Sequence, residues 1–301
     1  MARDPRLQHS ATVELSPCAL RVATLNLWHD VTAVEDRLDA VAAALIAEYV
    51  DAVALQEVRF ESEGSTASRL AARLGWTGLV EAATATSADG VPVGNAVLTR
   101  FPLTDTWSVD LPGVDASGER RGAVAGAFRS PSGNRVLLVS AHLAWGGALE
   151  ALRCNQLGAL EAALVARGVM EHHDTIVLGL DANAGPEADG LRWLSGEGGR
   201  AGLPGTYWVD CWKTAEIGAP GATVEMANPW AATVAARHGI DPAWGPPGRR
   251  QDYLFVRGWA WGKRGGPRGA ARFAETPGSL AGVLASDHYG VVTTLDDSPE
   301  R

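Results

Sequence analysis

Lysine is nearly missing from this sequence. Lys213 and Lys263 are the only two lysines, and 26 basic residues are outnumbered by 35 acidic ones, which gives a formal net charge of −9. The arginines at 249–250 and the glycine-rich run 256–268 are the only basic clusters that stand out. A general attraction to nucleic-acid backbones or anionic membranes is therefore not expected, and a small or specific partner is favoured.

Cysteine is also scarce, and long apolar runs are absent. The three cysteines, Cys18, Cys154 and Cys211, have no CxxC spacing, so neither a disulfide framework nor a zinc site is indicated. The N-terminal residues are polar where a secretion signal would be apolar, and no stretch approaches the length of a membrane span. We therefore expect a cytoplasmic protein without a membrane span. Nothing in the pattern indicates an oligomeric state.

Strand and helix patterns alternate along the chain. "LRVATLNLW" and "DAVALQEV" are strand-like runs that flank a helical pattern over 33–50, and a second helical pattern over 148–168 precedes the strand-like "DTIVLGLD". "RGAVAGAFRSPSGNRVLLVSAHLAW" predicts two antiparallel strands around a PSGN turn. This order predicts an α/β fold in which residues 21–296 form a single domain behind a flexible tail, residues 1–20.

Several strand-like runs end in polar side chains that a plain sheet would not need. Taken alone, each has a simple structural explanation, such as a turn cap or a hydrogen-bonded histidine. Taken together, they would lie along one rim, where desolvation and mutual repulsion are costly without a ligand. The side chains are Asn26, Glu57, His142, Asp181, Asn183, Asp252, Asp287 and His288.

The residue types at this rim suit metal-assisted phosphoryl transfer. Oxygen donors such as Glu57, Asp287 and Asn26 match Mg²⁺ or Mn²⁺, and the lack of clustered cysteine and histidine ligands argues against zinc. An aspartate can activate water, and imidazole and amide groups can stabilise the negative charge that develops on a phosphate. These residues favour the chemistry of a metal-dependent phosphoesterase.

Seven short stretches resemble, in the same order, the endonuclease/exonuclease/phosphatase superfamily. This superfamily includes pancreatic-type deoxyribonuclease, abasic-site endonucleases, bacterial sphingomyelinases and inositol polyphosphate 5-phosphatases. The stretches are "ATLNLW", "ALQEV", "GNAVLTRFPL", "SAHL", "GLDANA", "DYLFV" and "SDH". The resemblance implies a four-layer α/β sandwich, in which two packed mixed sheets are flanked by helices and the site lies at one end.

The resemblance also implies roles for the rim residues in catalysis. Asp181 would orient and deprotonate the attacking water, and Asn183 would contact the scissile phosphate. His288 would donate to a phosphate oxygen, held in the right tautomer by Asp252. His142 would provide a second phosphate contact.

The metal site that the resemblance implies consists of three residues. Asn26 and Glu57 look like the family's metal-binding pair, with Glu57 the principal ligand. Asp287 would complete the metal environment, directly or through water. The expected cofactor is Mg²⁺ or Mn²⁺.

Four flanking residues carry weaker expectations. For Arg120 and Arg121, a substrate contact and a solvated strand start both stay open. Asp210 in "YWVDCW" is expected to make a structural hydrogen bond. Gln156 is expected at an exposed helix position rather than behind the site.

The function that these residues predict is Mg²⁺-dependent hydrolysis of a small phosphomonoester or phosphodiester. The irregular segments 185–206 and 213–250 are expected to form a tryptophan-lined pocket over the metal. A DNA or RNA endonuclease or exonuclease is the alternative, because some arginine-rich loops are present. A further alternative is a family scaffold recruited to a non-hydrolytic biosynthetic or binding role.

Overall fold

The computed structural model describes residues 18–199, 202–215, 218–239, 248–257, 265–278 and 282–299. The predicted tail lies mostly outside the described residues. Trp244, Trp259 and Trp261, which occur in glycine- and proline-rich stretches, also lie outside them. Among the helices in the described ranges, none combines the length and the apolar character that crossing a membrane requires. The single domain predicted for residues 21–296 stays a prediction.

Strands make up most of the regular structure, and helices connect or flank them. The strands are β1 (Ala19–Asn26), β2 (Ala52–Glu61), β3 (Gly64–Ser65), β4 (Gly78–Thr86), β5 (Pro92–Thr99), β6 (Leu103–Leu111), β7 (Arg121–Arg129), β8 (Arg135–His142), β9 (Thr175–Asp181), β10 (Trp208–Asp210), β11 (Val224–Glu225), β12 (Gly248–Arg249), β13 (Asp252–Arg257), β14 (Pro267–Phe273) and β15 (Gly290–Asp296). The helices are α1 (Val34–Ala47), α2 (Thr66–Leu74), α3 (Glu150–Ala166), α4 (Val169–His172), α5 (Asp189–Leu194), α6 (Cys211–Ala215) and α7 (Pro229–Arg237).

The first sheet is mixed and has seven strands. Its order is β14-β15-β1-β2-β5-β4, with β3 paired to β2. Strands β1 and β2 run parallel, while β2 and β5 run antiparallel. The parallel pair is connected through α1, which is the crossover that parallel neighbours require. The predicted strand–helix–strand unit is therefore confirmed.

The second sheet is also mixed and has six strands, in the order β10-β13-β9-β8-β7-β6. Strands β8 and β9 are parallel and are connected through α3 and α4. Strands β7 and β8 form the predicted antiparallel hairpin. Gly133 in its PSGN turn has a φ of 83°, a left-handed conformation that glycine adopts without a steric cost.

The two sheets pack against each other, and helices cover their outer faces. Between the sheets, Val22 and Ala54 of the first sheet belong to the same buried cluster as Leu138 and Val177 of the second. Helices α1 and α2 pack on the outside of the first sheet, and α3 and α5 on the outside of the second. This arrangement is the four-layer sandwich that the resemblance implies.

Gly179 of β9 tests the packing between the sheets. A Cβ atom at this residue would lie 2.4 Å from the Cβ of Ala54 in the other sheet. Gly179→Ala is therefore expected to lower the free energy of unfolding by about 1–3 kcal/mol, the usual cost of overpacking. Gly147→Ala is the matched control, since nothing lies within 4 Å of its Cβ position. Urea unfolding that gives equal midpoints for both variants would contradict this packing.

The sequence patterns missed several elements. Strand β6 has an alternating exposed pattern because it is the edge strand of the second sheet, so only part of it is buried. Strands β4 and β14 were also not predicted. The segment 185–206, predicted as irregular loop, contains α5, whose Leu191 and Leu194 pack on the outside of the second sheet.

Candidate active site

Strand pairing places the predicted polar strand ends side by side. In the second sheet, Asp181 is paired with His142 on β8 and with Asp252 on β13. Asn26, at the end of β1, links this group to the first sheet. Its amide nitrogen donates to Asp181 Oδ2 at 2.8 Å and to Glu57 Oε1 at 3.0 Å. A hydrogen-bonded cluster therefore joins the ends of both sheets.

This cluster borders a cavity of about 680 Å³. The size is typical of a site for a small molecule. Asn26 and Asp252 lie behind the cavity wall, each 1% exposed. The other six predicted residues line the cavity: Glu57, His142, Asp181, Asn183, Asp287 and His288.

An irregularity in β2 directs Glu57 into the cavity. Its pairing with β5 shifts register between Leu55 and Val58, and Glu57 between them has a φ of 53°. Such bulges re-aim side chains and are frequent beside active sites. A left-handed conformation is uncommon for glutamate, so the local backbone is strained at this residue.

His29 is a site residue that the sequence analysis missed. Its Nδ1 forms a short contact with Glu57 Oε2, and its backbone N–H donates to the same oxygen at 3.0 Å. The charge of Glu57 raises the pKa of His29 to about 9. In return, the charge and hydrogen bond of His29 outweigh burial and hold the pKa of Glu57 well below its usual range. The available signal was the position of His29, three residues after Asn26.

Asp181 is a buried carboxylate whose protonation changes near neutral pH. Its Oδ1 accepts the backbone N–H of Asn183 at 3.0 Å, and its Oδ2 accepts the amide of Asn26. Burial, and then the charge of Asp252, raise the pKa of Asp181 to about 7. A carboxylate with this pKa is well matched to accept a proton from water.

Asp252 and His288 form a buried pair. His288 Nδ1 lies 2.8 Å from Asp252 Oδ2. Although burial opposes the charged imidazole, Asp252 and Asp287 raise the pKa of His288 well above its ordinary value. The other oxygen of Asp252, Oδ1, is buried and has no hydrogen-bond partner among the described residues. The pair keeps a protonated imidazole at the cavity wall.

His142 is held in the opposite state, as a neutral imidazole. Burial, and then the charge of Arg121, lower its pKa well below the ordinary value. One ring nitrogen, Nδ1, lies 3.3 Å from the guanidinium of Arg121, and the other is Nε2. That nitrogen lies 3.5 Å from Asp181 Oδ2 and 2.9 Å from the amide nitrogen of Asn183.

The carboxylates of Glu57 and Asp287 both line the cavity. Burial, opposed by His288 and assisted by Glu57, raises the pKa of Asp287 to about 6. Two carboxylates that face one cavity repel each other less with a cation present, and oxygen donors suit Mg²⁺ or Mn²⁺. Asp181, Asp252 and His288 form a further group of donor atoms, all within 4.8 Å of one another.

The amide oxygen of Asn26 has a different partner in this arrangement. It accepts the backbone N–H of Trp28 at 2.8 Å, while the amide nitrogen contacts both carboxylates. Asn26 thus positions Glu57 and Asp181 relative to each other. Its predicted role as a metal ligand stays a prediction.

Comparison with known proteins identifies the family of this chain. The model of the endonuclease/exonuclease/phosphatase family matches residues 23–288. The chain belongs to this family. A comparison with curated protein sequences finds no match.

Several solved structures have the same fold. An endonuclease/exonuclease/phosphatase from Beutenbergia cavernae shares 24% sequence identity at a TM-score of 0.65, covering 93% of this chain and 72% of that one. The catalytic domain of human Nocturnin, with bound sulfate, shares 18% identity at a TM-score of 0.65, covering 94% and 96%. A humanized D. rerio TDP2 shares 17% identity at a TM-score of 0.64, covering 92% and 99%.

The flanking residues Arg120, Arg121 and Gln156 lie in different environments. Arg121 lines the cavity beside His142, whereas Arg120 is exposed to solvent. The prediction of an exposed Gln156 is wrong, because its side chain is fully buried, accepts the Ala144 N–H at 2.8 Å and donates to the Pro112 carbonyl at 3.1 Å. The tight loop after β8 folds over α3, a long-range contact that helical periodicity does not reveal.

Asp210 makes the structural contact expected of it. Its two carboxylate oxygens accept from the guanidinium of Arg250 at 2.8 and 3.1 Å. Both side chains are buried, and Asp210 also accepts the backbone N–H of Trp212 at the start of α6. This pair connects β10 to the residues that lead into β13.

The predicted pocket cover is correct for only one of its two segments. The described residues of 213–250 contribute α7 and the short strands β11 and β12 to the cavity lining, whereas no described residue of 185–206 lies there. That segment packs behind the second sheet, where its apolar side chains are buried. Among the described residues, the tryptophans that line the cavity are Trp28 and Trp145, and both lie outside the two predicted segments.

Proposed function

We propose that this protein is a divalent-metal-dependent hydrolase of small phosphate esters. The observation that carries the proposal is that a proton-accepting carboxylate and a proton-donating imidazole lie around one cavity. Asp181, with a pKa of about 7, lies beside the protonated His288–Asp252 pair. Groups that accept and donate protons side by side are what hydrolysis of an ester requires.

Asp181 is the proposed base in this reaction. Its ionised carboxylate would take a proton from the water that attacks phosphorus. The N–H of Asn183 and the amide of Asn26 hold the carboxylate in place. A proton acceptor positioned in this way contributes about 10²- to 10⁴-fold to a rate.

His288 and His142 are the proposed phosphate contacts. His288 would donate to a phosphate oxygen as negative charge builds up there, and Asp252 fixes the ring so that Nε2 faces the cavity. Neutral His142 and the amide of Asn183 would contact the same phosphate. Fixed donors aimed at developing charge are a large source of rate enhancement.

Glu57 and Asp287 would hold the cation, with Asn26 beside them. A Mg²⁺ or Mn²⁺ ion bound there would supply a Lewis acid for the phosphate. The charge and hydrogen bond of His29 keep Glu57 ionised, so this ligand is in its metal-binding form at neutral pH.

Glu57→Gln is expected to raise the Mg²⁺ concentration needed for half-maximal activity by at least about tenfold, the loss that follows even a change outside the ligand set. The measurement is a Mg²⁺ titration of initial rates. Glu63→Gln is the control, because Glu63 is exposed and lies outside the cavity lining. An unchanged metal requirement in Glu57→Gln would remove Glu57 from the metal site.

A small substrate is favoured by the size and charge of the site. The cavity of about 680 Å³ suits a small molecule better than a polymer. The net charge of −9 also disfavours a polyanion. The cytoplasmic location stays a prediction.

A nuclease is the second candidate. A D. rerio TDP2 structure of the same fold is described as complexed with single-strand DNA product, with 18% identity and a TM-score of 0.62. This reading predicts DNA or RNA binding that weakens steeply with salt. A scaffold recruited to a non-hydrolytic role predicts no hydrolysis at all.

Turnover on a substrate panel separates these candidates. The panel contains bis-4-nitrophenyl phosphate, 4-nitrophenyl phosphate, nucleotides, sugar and lipid phosphates, and plasmid DNA, each with and without Mg²⁺ or Mn²⁺. We expect metal-dependent cleavage of small esters and little of DNA. Preferred cleavage of DNA would support the nuclease, and silence across the panel would contradict both.

A further inference from the structure

Part of the cavity lining is an apolar wall that the proposed chemistry does not use. We define the apolar wall as Trp145, Val224, Met226, Ala231, Val234 and Ala235. Most of these residues lie on α7 or next to β11. Val234 is only half-buried, so its side chain offers apolar surface to an occupant. An apolar surface inside a polar site marks the place where a ligand's apolar part is removed from water.

The apolar wall is fixed relative to the proposed catalytic residues. The amide of Asn228, which caps α7, donates to the Ser286 carbonyl at 2.9 Å, and Trp230 Nε1 donates to the Leu284 carbonyl at 3.1 Å. The segment that anchors α7 therefore leads directly into Asp287 and His288. The wall cannot move far without moving these two residues.

Two ring contacts tie α7 to the other side of the cavity. Trp230 lies 5.2 Å from Trp28, between ring centroids. His238, just after α7, lies 4.5 Å from Trp145 by the same measure. These contacts bridge the loops that follow β1 and β8, so the wall is built into the cavity rather than lying loosely over it.

Three of the four arginines that line the cavity are paired with carboxylates, and the fourth, Arg249, is exposed to solvent. Arg59 of the cavity lining contacts Asp89 at 3.0 Å, and Arg121 contacts Glu119 at 3.3 Å. Arg237 at the end of α7 pairs with the carboxylate of Asp30. Each of these three arginines is matched by a carboxylate, so a ligand that carries several phosphates would meet acidic side chains as well as basic ones.

We propose that the cavity selects phosphate esters whose ester group is uncharged and apolar, with Val234 and Trp145 contacting that group. This inference rests on the proposed function, since the phosphate must lie against His142 and His288. It goes further by naming the substrate class. The rest of the ester would lie on the apolar wall, away from the carboxylates of the cavity.

Binding of phosphonates tests the wall without requiring turnover. Titration calorimetry in Mg²⁺ compares phenylphosphonate with methylphosphonate, which differ only in the apolar group. We expect phenylphosphonate to bind about tenfold more tightly, as burial of much of one ring predicts. Equal affinities for the two ligands in the unchanged protein would overturn the inference.

Val234→Asp and Ala236→Asp form the matched pair of variants. Val234 lines the cavity, whereas Ala236, two residues later on α7, is exposed and lies outside the lining. Val234→Asp should abolish the preference for phenylphosphonate, and Ala236→Asp should retain it. Trp145→Ala provides a second test if Val234→Asp unfolds, and it should also reduce the preference. A preference that survives in both wall variants would overturn the inference.

Turnover measurements distinguish a failure of this inference from a failure of the proposed function. Methyl 4-nitrophenyl phosphate and phenyl 4-nitrophenyl phosphate share one leaving group, so their kcat/KM values report mainly the second ester group. We expect the phenyl ester to be favoured about tenfold, and Val234→Asp to lose that advantage. A protein that binds phenylphosphonate selectively but cleaves neither of these diesters nor 4-nitrophenyl phosphate would support the apolar contact and contradict the hydrolase. Cleavage of both esters at equal rates would support the hydrolase and contradict the contact between the apolar wall and the ester group.

Discussion

Asp181→Asn is expected to lower kcat for phosphate ester hydrolysis by about 10³-fold, within the range for a positioned base. Asparagine has almost the same shape and can still accept the Asn183 N–H, but it cannot take a proton from water. Steady-state rates with saturating Mg²⁺ measure the loss. Near-native turnover in this variant would remove Asp181 from the mechanism.

The pH dependence distinguishes a lost base from a damaged fold. Because the carboxylate is the active form and the pKa of Asp181 is about 7, kcat/KM of the unchanged enzyme should rise as the pH increases towards 7 and then level off. The variant should lack this rise. The raised pKa also means that the native state favours the protonated acid, so metal-free native protein loses stability as the pH rises from about 4 to about 7. Asp181→Asn should not show that loss.

His288→Ala is expected to lower kcat by about 10²- to 10⁴-fold, because it removes a charged donor from the phosphate. The pKa of His288 is raised, so the donor remains protonated above neutral pH, and the unchanged enzyme should keep its activity on the mildly alkaline side. Initial rates across this pH range test both statements.

Two further variants show whether His288 acts through its pairing with Asp252. Asp252→Asn should also slow the reaction, and the double variant should be little worse than His288→Ala, because the two residues act as a unit. His172→Ala is the control, since His172 is exposed on α4, outside the active-site cavity. Losses that multiply in the double variant would show that Asp252 has a separate role.

The polar residues at the rim of the site could be predicted because the ends of strands can be recognised in the sequence. "VLGLDANAG" places an acid and an amide where an apolar run stops, and both side chains line the cavity. Asp181 ends β9, whereas Asn183 lies in the turn after it with a φ of 49°, so strand alternation alone does not place the amide. The pairing of Asp252 with His288 followed from the resemblance, and the 2.8 Å contact agrees with it.

The residues that sequence reasoning missed depend on long-range contacts. His29 matters because the strained backbone at Glu57 turns that carboxylate towards it, and no local pattern predicts a left-handed glutamate. Gln156 has helical surroundings that resemble an exposed position, yet it accepts the Ala144 N–H after β8. The irregular segments 185–206 and 213–250 have similar compositions. Only the tertiary structure shows that the first packs in the core and that the second lines the cavity.

Isotope incorporation during turnover shows directly whether water attacks phosphorus in this active site. The reaction with bis-4-nitrophenyl phosphate is run in H₂¹⁸O with Mg²⁺, and mass spectrometry locates the label. We expect one ¹⁸O atom in the 4-nitrophenyl phosphate product and none in 4-nitrophenol, because water activated by Asp181 attacks phosphorus. Label in the phenol, or a phosphoryl product without label, would show that the chain does not hydrolyse esters in this way.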